Sequence, residues 1–371
     1  MKHHHPENDP KYIGLNVNPG IEKPEAVNED SVKRFLKKGK RKILSPDDYF
    51  EGILKGDITI LSQAVTLVES HKPEHQKIAQ EIIIKCLPLT GKSVRLGITG
   101  VPGAGKSTFI EAMGKHITSN GGKLAVLAID PSSERSKGSI LGDKTRMEEL
   151  SSDPNAYIRP SPAAGSLGGV ARKTREIIIL CEAAGFETIF IETVGVGQSE
   201  TVVHSMVDFF LLIQISGAGD ELQGIKRGIM EMADAIVINK ADGDNFEKAR
   251  LAAAQFRNAL HLFPATGSGW NPPVLTCSAL ENTGVTKVWE TVNEYVVLTR
   301  ENGYFKNRRH DQSKYWMYET INESLRNNFY YNARIRPRLA VYEKLVLSDG
   351  MSSFIAAHEL LNAYFKLVGK E

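Results

Sequence analysis

Gly100-Val101-Pro102-Gly103-Ala104-Gly105-Lys106-Ser107-Thr108 satisfies the spacing G-x-x-x-x-G-K-S. A β-rich run, 95–99, precedes it and a helical pattern, 106–119, follows it. In a strand-loop-helix setting this spacing reads as a phosphate cradle. The glycines permit a tight turn whose backbone N–H groups, from Gly103, Ala104, Gly105, Lys106, Ser107 and Thr108, surround phosphate oxygens, and the helix presents its positive end to the anion. Lys106 is expected to reach the β- and γ-phosphates, and the Ser107 hydroxyl to ligate magnesium.

Outward from this loop, short β-rich runs alternate with longer helical ones. Strands are expected over 95–99, 123–129, 156–159, 188–192, 208–215, 235–239 and 274–277, with helices over 106–119, 170–184, 222–232 and 246–260. Such alternation predicts an α/β fold of the P-loop NTPase type, a mostly parallel sheet flanked by helices, with ligands at the carboxyl ends of the strands. The division expected is an arm over 1–44, a helical region over 45–92, the P-loop domain over 93–303 and a helical region over 304–371. Ser45, Pro46 and Asp48 supply an N-cap, a first-turn proline and a capping-box acid. In the last region a charged hinge, 306–314, leads into helices near 315–327 and 353–367. Their stripe of Trp316, Tyr318, Leu325, Phe354, Leu360, Leu361 and Phe365 fits either packing on the sheet or dimerisation.

The base is read further along. Asn239-Lys240-Ala241-Asp242 follows an apolar run and has the spacing N-K-x-D. A carboxylate at Asp242 accepts from the ring N–H and the exocyclic amino group of guanine together, a donor pair that adenine lacks. Lys240 lies along the base and Asn239 braces loop and base edge. Ser278-Ala279-Leu280 follows the last strand, and a backbone N–H near Ala279 is placed to reach the guanine carbonyl oxygen.

Around the γ-phosphate the chain departs from the commoner D-x-x-G. It carries Glu192-Thr193-Val194-Gly195, in which Gly195 still presents a backbone N–H. Asp130 and Asp143, in polar loops, are candidates to join Ser107 and Glu192 as the metal shell. Asp130, before Pro131, is equally a good turn former. In the run 219–228, GDELQGIKRG, Lys226 could neutralise transition-state charge as an arginine finger does, or the run could simply open an amphipathic helix.

The chain has 371 residues, with 46 basic and 44 acidic, and 41% hydrophobic residues. That suits several globular units. Seven basic residues fall in 33–42 with no acid, which leaves a mildly acidic body without the broad basic footprint of a nucleic-acid binder. The longest apolar runs stop short of the roughly 20 residues of a membrane span. The start has no signal-peptide core, and Cys86, Cys181 and Cys277 are spread too widely for a disulfide framework or a zinc cluster, so a reducing cytoplasm is expected.

The runs GVPGAGKSTFIEAMG, IDPSS, GSILGDKTRM, AYIRPSPAAGSLGG, IETVGVGQSE and GDELQGIKRGIMEMADAIVINKAD, in this order, resemble the MeaB/ArgK family, the GTPase chaperones of the cobalamin-dependent methylmalonyl-CoA mutase. The resemblance runs from about Ser45 to the C-terminus and is densest over 97–242. It implies a G domain of the SIMIBI class that binds GTP or GDP with magnesium, and a homodimer joined by its C-terminal helices. It implies delivery, gating and protection of adenosylcobalamin at an acyl-CoA mutase. Matched motif by motif, it sets Asp130, Asp143 and Glu192 around magnesium and the γ-phosphate, with Lys106 and Glu192 serving hydrolysis. It puts Gln223 and Lys226 in a switch segment, 220–227, that the partner repositions. No D-x-H-x-x-G cobalamin motif is present, so the chain is not expected to be the mutase. Two other readings start from the same loop, a P-loop kinase or ATPase acting on a small metabolite and a nickel-type metallochaperone GTPase.

Overall fold

The computed structural model describes residues 43–129, 147–161, 167–193, 199–217, 227–264 and 266–369. Three amphipathic helices come first, α1 (Pro46–Leu54), α2 (Ile58–Glu69) and α3 (Pro73–Cys86). Asp57 caps α2, its carboxylate accepting from the Thr59 and Ile60 N–H groups, and Pro73 opens α3 where no N–H is needed.

The core is a seven-stranded sheet in the order β3-β2-β4-β1-β5-β6-β7, every pair parallel. Its strands are β1 (Val94–Gly100), β2 (Leu124–Ile129), β3 (Ala156–Ser161), β4 (Thr188–Thr193), β5 (Phe209–Ile215), β6 (Ala235–Asn239) and β7 (Val274–Thr276). Each lies where the sequence predicts one. Strands β2 and β4 are buried at every position, which is what a sheet covered on both faces requires.

The covering helices in chain order are α4 (Lys106–Ser119), α5 (Glu148–Ser151), α6 (Leu167–Ala183), α7 (Ser199–His204), α8 (Arg227–Met232), α9 (Phe246–Leu260) and α10 (Val285–Glu301). Phe109, Ile110 and Met113 of α4 and Val288, Val292 and Tyr295 of α10 fill one face, against Leu96, Ile98, Phe190, Phe209 and Leu211. Ala249, Ala253 and Phe256 of α9 pack on the other, against Leu212, Ile236 and Ile238. The predicted helix 222–232 is described only from Arg227.

The C-terminal reading needs correction. The stretch 306–314 is no hinge but the middle of α11 (Tyr304–Tyr330), a single helix of 27 residues, followed by α12 (Arg336–Leu347) and α13 (Ser353–Val368). Two of its charges, Arg308 and Arg309, pair with buried aspartates at the amino ends of β6 and β5. Arg309 grips Asp208 through Nε and Nη2, at 2.7 Å each, and donates to the Gly91 and Ser93 carbonyls. Arg308 donates to the Tyr295 hydroxyl at 3.0 Å and pairs with Asp234 at 3.4 Å. The same carboxylates accept the backbone N–H groups of Arg95 and Phe210, so each holds a strand end and a helix at once.

Removing one partner of a buried pair leaves the other charge uncompensated, at about 3–5 kcal/mol. Arg309→Met is therefore expected to lower unfolding free energy by that amount in urea denaturation. A loss below about 1 kcal/mol would mean that the pair does not anchor α11.

Candidate functional site

At the carboxyl ends of β1, β4, β6 and β7 the chain brings together most of the predicted site residues. The loop 101–105 leaves β1 and enters α4 at Lys106. Two glycines are sterically required there. A Cβ on Gly100 would collide with the Ile213 carbonyl oxygen of β5. Gly105 has φ +83°, and a Cβ on it would lie 2.6 Å from the Asn239 amide nitrogen.

Lys106 is largely buried, and its ammonium donates to the Gly100 carbonyl at 2.9 Å and to Val101 at 3.3 Å. Burial lowers its pKa from the ordinary lysine value, while the carboxylates of Glu192 and Glu200 pull the other way. A cation held at cost above an anion-binding loop is what phosphate neutralisation needs.

Ser107 and Glu192, 85 residues apart in sequence, meet at 3.4 Å between Oγ and Oε1. The glutamate that stands in place of the commoner aspartate therefore reaches the phosphate-loop hydroxyl. A hydroxyl and a carboxylate are hard oxygen donors, the kind that magnesium takes, so the pair fits that ion. Asp130, Asp143, Gly195, Gln223 and Lys226 lie outside the described residues.

The base end is built around Asn239, the last residue of β6. Its Nδ2 donates to the Ala104 carbonyl of the phosphate loop at 2.8 Å, and its Oδ1 accepts the Ala279 N–H at 3.0 Å. One buried side chain ties the phosphate loop to the base loop. Asn239 Oδ1 also accepts from the Cys277 thiol, whose pKa burial pushes up to about 12. Lys240 adopts φ 60°, a left-handed conformation that non-glycine residues hold only at a cost of order 1 kcal/mol or more.

The Ser278 hydroxyl donates to Asp242 Oδ2, which fixes the carboxylate's orientation. Leu280 is exposed. The Ala279 N–H, expected to face the guanine carbonyl oxygen, is bonded here to Asn239. Glu200, in the run IETVGVGQSE, has no role predicted from its spacing. It is buried at the start of α7, and its charge acts on Lys106. The only trace of it in the sequence is an acid followed by the β-branched run Thr201-Val202-Val203.

The family described as "Methylmalonyl Co-A mutase-associated GTPase MeaB" matches residues 61–334. "GTPase ArgK" of Escherichia coli is 47% identical over 278 residues, which cover 75% of this chain and 84% of that protein. "Methylmalonic aciduria type A homolog, mitochondrial" of Mus musculus is 46% identical over 328 residues, 86% of this chain and 79% of that one. A solved structure described as a LAO/AO transport system kinase superposes with a TM-score of 0.70 at 35% identity, over 87% of this chain and 99% of that one. With a phosphate loop, a buried lysine and an N-K-x-D carboxylate at one sheet edge, and relatives named as GTPases across most of its length, the chain is a GTP-binding, GTP-hydrolysing member of the methylmalonyl-CoA mutase-associated GTPase family.

Proposed function

We propose that the chain is a magnesium-dependent GTPase chaperone that assists adenosylcobalamin loading and protection in methylmalonyl-CoA mutase or a related acyl-CoA mutase. The observation that carries this reading is the match to the mutase-associated family over 61–334. The kinase and nickel readings gain no support from relatives named GTPases.

In this reading Lys106 and the loop N–H groups hold the β- and γ-phosphates, Gly195 adds an N–H, and Asp242 reads the base. Ser107 and Glu192, with Asp130 and Asp143, would hold magnesium, which offsets charge on the phosphate oxygens when bound. Gln223 and Lys226 complete the site when the partner repositions their segment. The chain works as a homodimer through 304–371, away from nucleic acid and membranes, in the cytoplasm. Exposed Tyr318, Leu325, Phe354 and Phe365 on α11 and α13 support such a contact. No described helix is long and apolar enough to cross a membrane.

The test is copurification with a cobalamin-dependent acyl-CoA mutase in GDP and in a non-hydrolysable GTP analogue, followed by turnover measurements. A complex whose stability depends on the nucleotide, with GTP hydrolysis faster in it, is expected. Lys226→Ala should keep GTP affinity within about threefold and abolish that acceleration. Unchanged acceleration would remove Lys226 from the switch, and no complex in either nucleotide would remove the chaperone reading.

A further inference from the structure

Helix α11 spans about 40 Å at 1.5 Å per residue, yet among its residues only Gln312 and Trp316 are buried. Both are spent on one short target, the connection from α7 to β5. Trp316 Nε1 donates to the Ser205 carbonyl at 3.1 Å, and Gln312 Nε2 to the Val207 carbonyl at 2.7 Å. Arg309 takes the Asp208 carboxylate. Positions 309, 312 and 316 lie on one helical stripe, so three successive turns of α11 grip residues 208, 207 and 205.

The gripped connection is the far end of α7. At its near end Ser199 and Glu200 are buried, and Ser199 comes six residues after Thr193 ends β4, the strand whose Glu192 meets Ser107 of the phosphate loop at 3.4 Å. Between its ends α7 has little room to move sideways. A Cβ on Gly97 of β1 would lie 2.9 Å from Val203 and 3.0 Å from Val207, so the strand gives up its side chain to let this segment sit against it. At the end of α7 His204 stacks edge-on against Phe210, with centroids 5.5 Å apart. On the outer side Arg175 of α6 donates to the Gln312 carbonyl at 3.0 Å and lies over the Trp316 ring.

Gln312 carries a further mark. Its Oε1 is buried and has no hydrogen-bond partner among the described residues. An orphaned buried acceptor costs about 1–3 kcal/mol, comparable to what its one hydrogen bond contributes, so Gln312 adds little net stability. Its value lies in holding the Val207 carbonyl.

We infer that Gln312 and Trp316 are positioning residues for GTP hydrolysis, which act from α11 through the Ser205–Asp208 connection on α7 and so on the groups beside Lys106. The inference rests on GTP hydrolysis at the phosphate loop and not on any mutase partner. Because the grip is mutual, a nucleotide-dependent shift of α7 must also register in α11.

The test uses the full-length protein with three readouts: single-turnover and steady-state GTP hydrolysis, calorimetric affinity for GDP and a non-hydrolysable GTP analogue, and backbone hydrogen exchange. Gln312→Leu should lower kcat about five- to tenfold while both affinities stay within twofold and the thermal midpoint is nearly unchanged. Trp316→Phe keeps an aromatic ring facing Arg175 but loses the Nε1 donor and part of the ring volume, so about threefold is expected. In the wild type, exchange at 205–208 and across 309–316 should differ between GDP and the analogue. That difference should vanish in Gln312→Leu. Unchanged kcat in both variants overturns the inference, as does wild-type exchange over 309–316 that is the same in both nucleotides while the phosphate loop responds. A joint loss of kcat, affinity and thermal midpoint overturns it too, since it marks a purely structural role.

Discussion

Asp242→Asn is expected to weaken GTP binding by two to four orders of magnitude, about 3–5 kcal/mol, and to improve binding of XTP. The carboxylate offers two acceptor oxygens to the two adjacent donors of guanine, and charge-assisted bonds of this kind contribute about 1.5–3 kcal/mol each. An amide keeps one acceptor and turns its NH2 group toward the guanine amino group, donor against donor. Xanthine carries a carbonyl there instead and meets the new NH2 correctly. The loop should survive the change, because an asparagine oxygen can still accept from the Ser278 hydroxyl that orients Asp242. Calorimetry with GTP, XTP and ATP reads the result. GTP affinity within tenfold of wild type, with no gain for XTP, would mean that the base is recognised by other groups.

Lys106→Met should reduce turnover by at least about a hundredfold and leave the fold as stable as before, or more so. Preorganised donors aimed at developing charge are worth two to three orders of magnitude in kcat when removed one at a time, and this one carries a full charge. The stability half follows from burial, which lowers the Lys106 pKa: the folded protein holds the ammonium less comfortably than water does. Methionine keeps the unbranched stem and drops the charge, so the desolvation penalty goes with it. Chemical denaturation without nucleotide, beside GTP turnover with magnesium, separates the two effects. A variant that hydrolyses GTP within tenfold of wild type would displace Lys106 from its role. Turnover lost together with several kcal/mol of stability would show that the ammonium supports the loop and not the phosphate.

Much of the protein is legible in its sequence because the signals are local. From Val94 to Leu260 the strands are short continuous apolar runs, because both faces of the sheet are covered, and the helices show a 3.6-residue period, because one side meets the core; helices α4 and α9 begin and end where the pattern says. The phosphate-loop and N-K-x-D motifs are runs of nine and four residues, so each is legible from consecutive positions. Helix α12 was not foreseen, because none of its residues is buried and its pattern has no core-facing stripe. The charged stretch 306–314 misled for a related reason. A linker and a helix that pairs with buried aspartates have the same composition, and only the fold reveals where the partners are.

A parallel α/β sheet, a loop with G-x-x-x-x-G-K-S spacing and an N-K-x-D run at a strand end are all legible in the chain as it is written. The tertiary structure alone decided how those parts become one site. Asn239 reaches the Ala104 carbonyl across 135 residues, Glu192 reaches Ser107 across 85, and Arg309 reaches Asp208 across 101. Contacts between residues that far apart leave no period in the chain. They exist because parallel strands bring all their carboxyl ends to one edge and all their amino ends to the other, which sets the nucleotide loops at the first and the α11 anchor at the second.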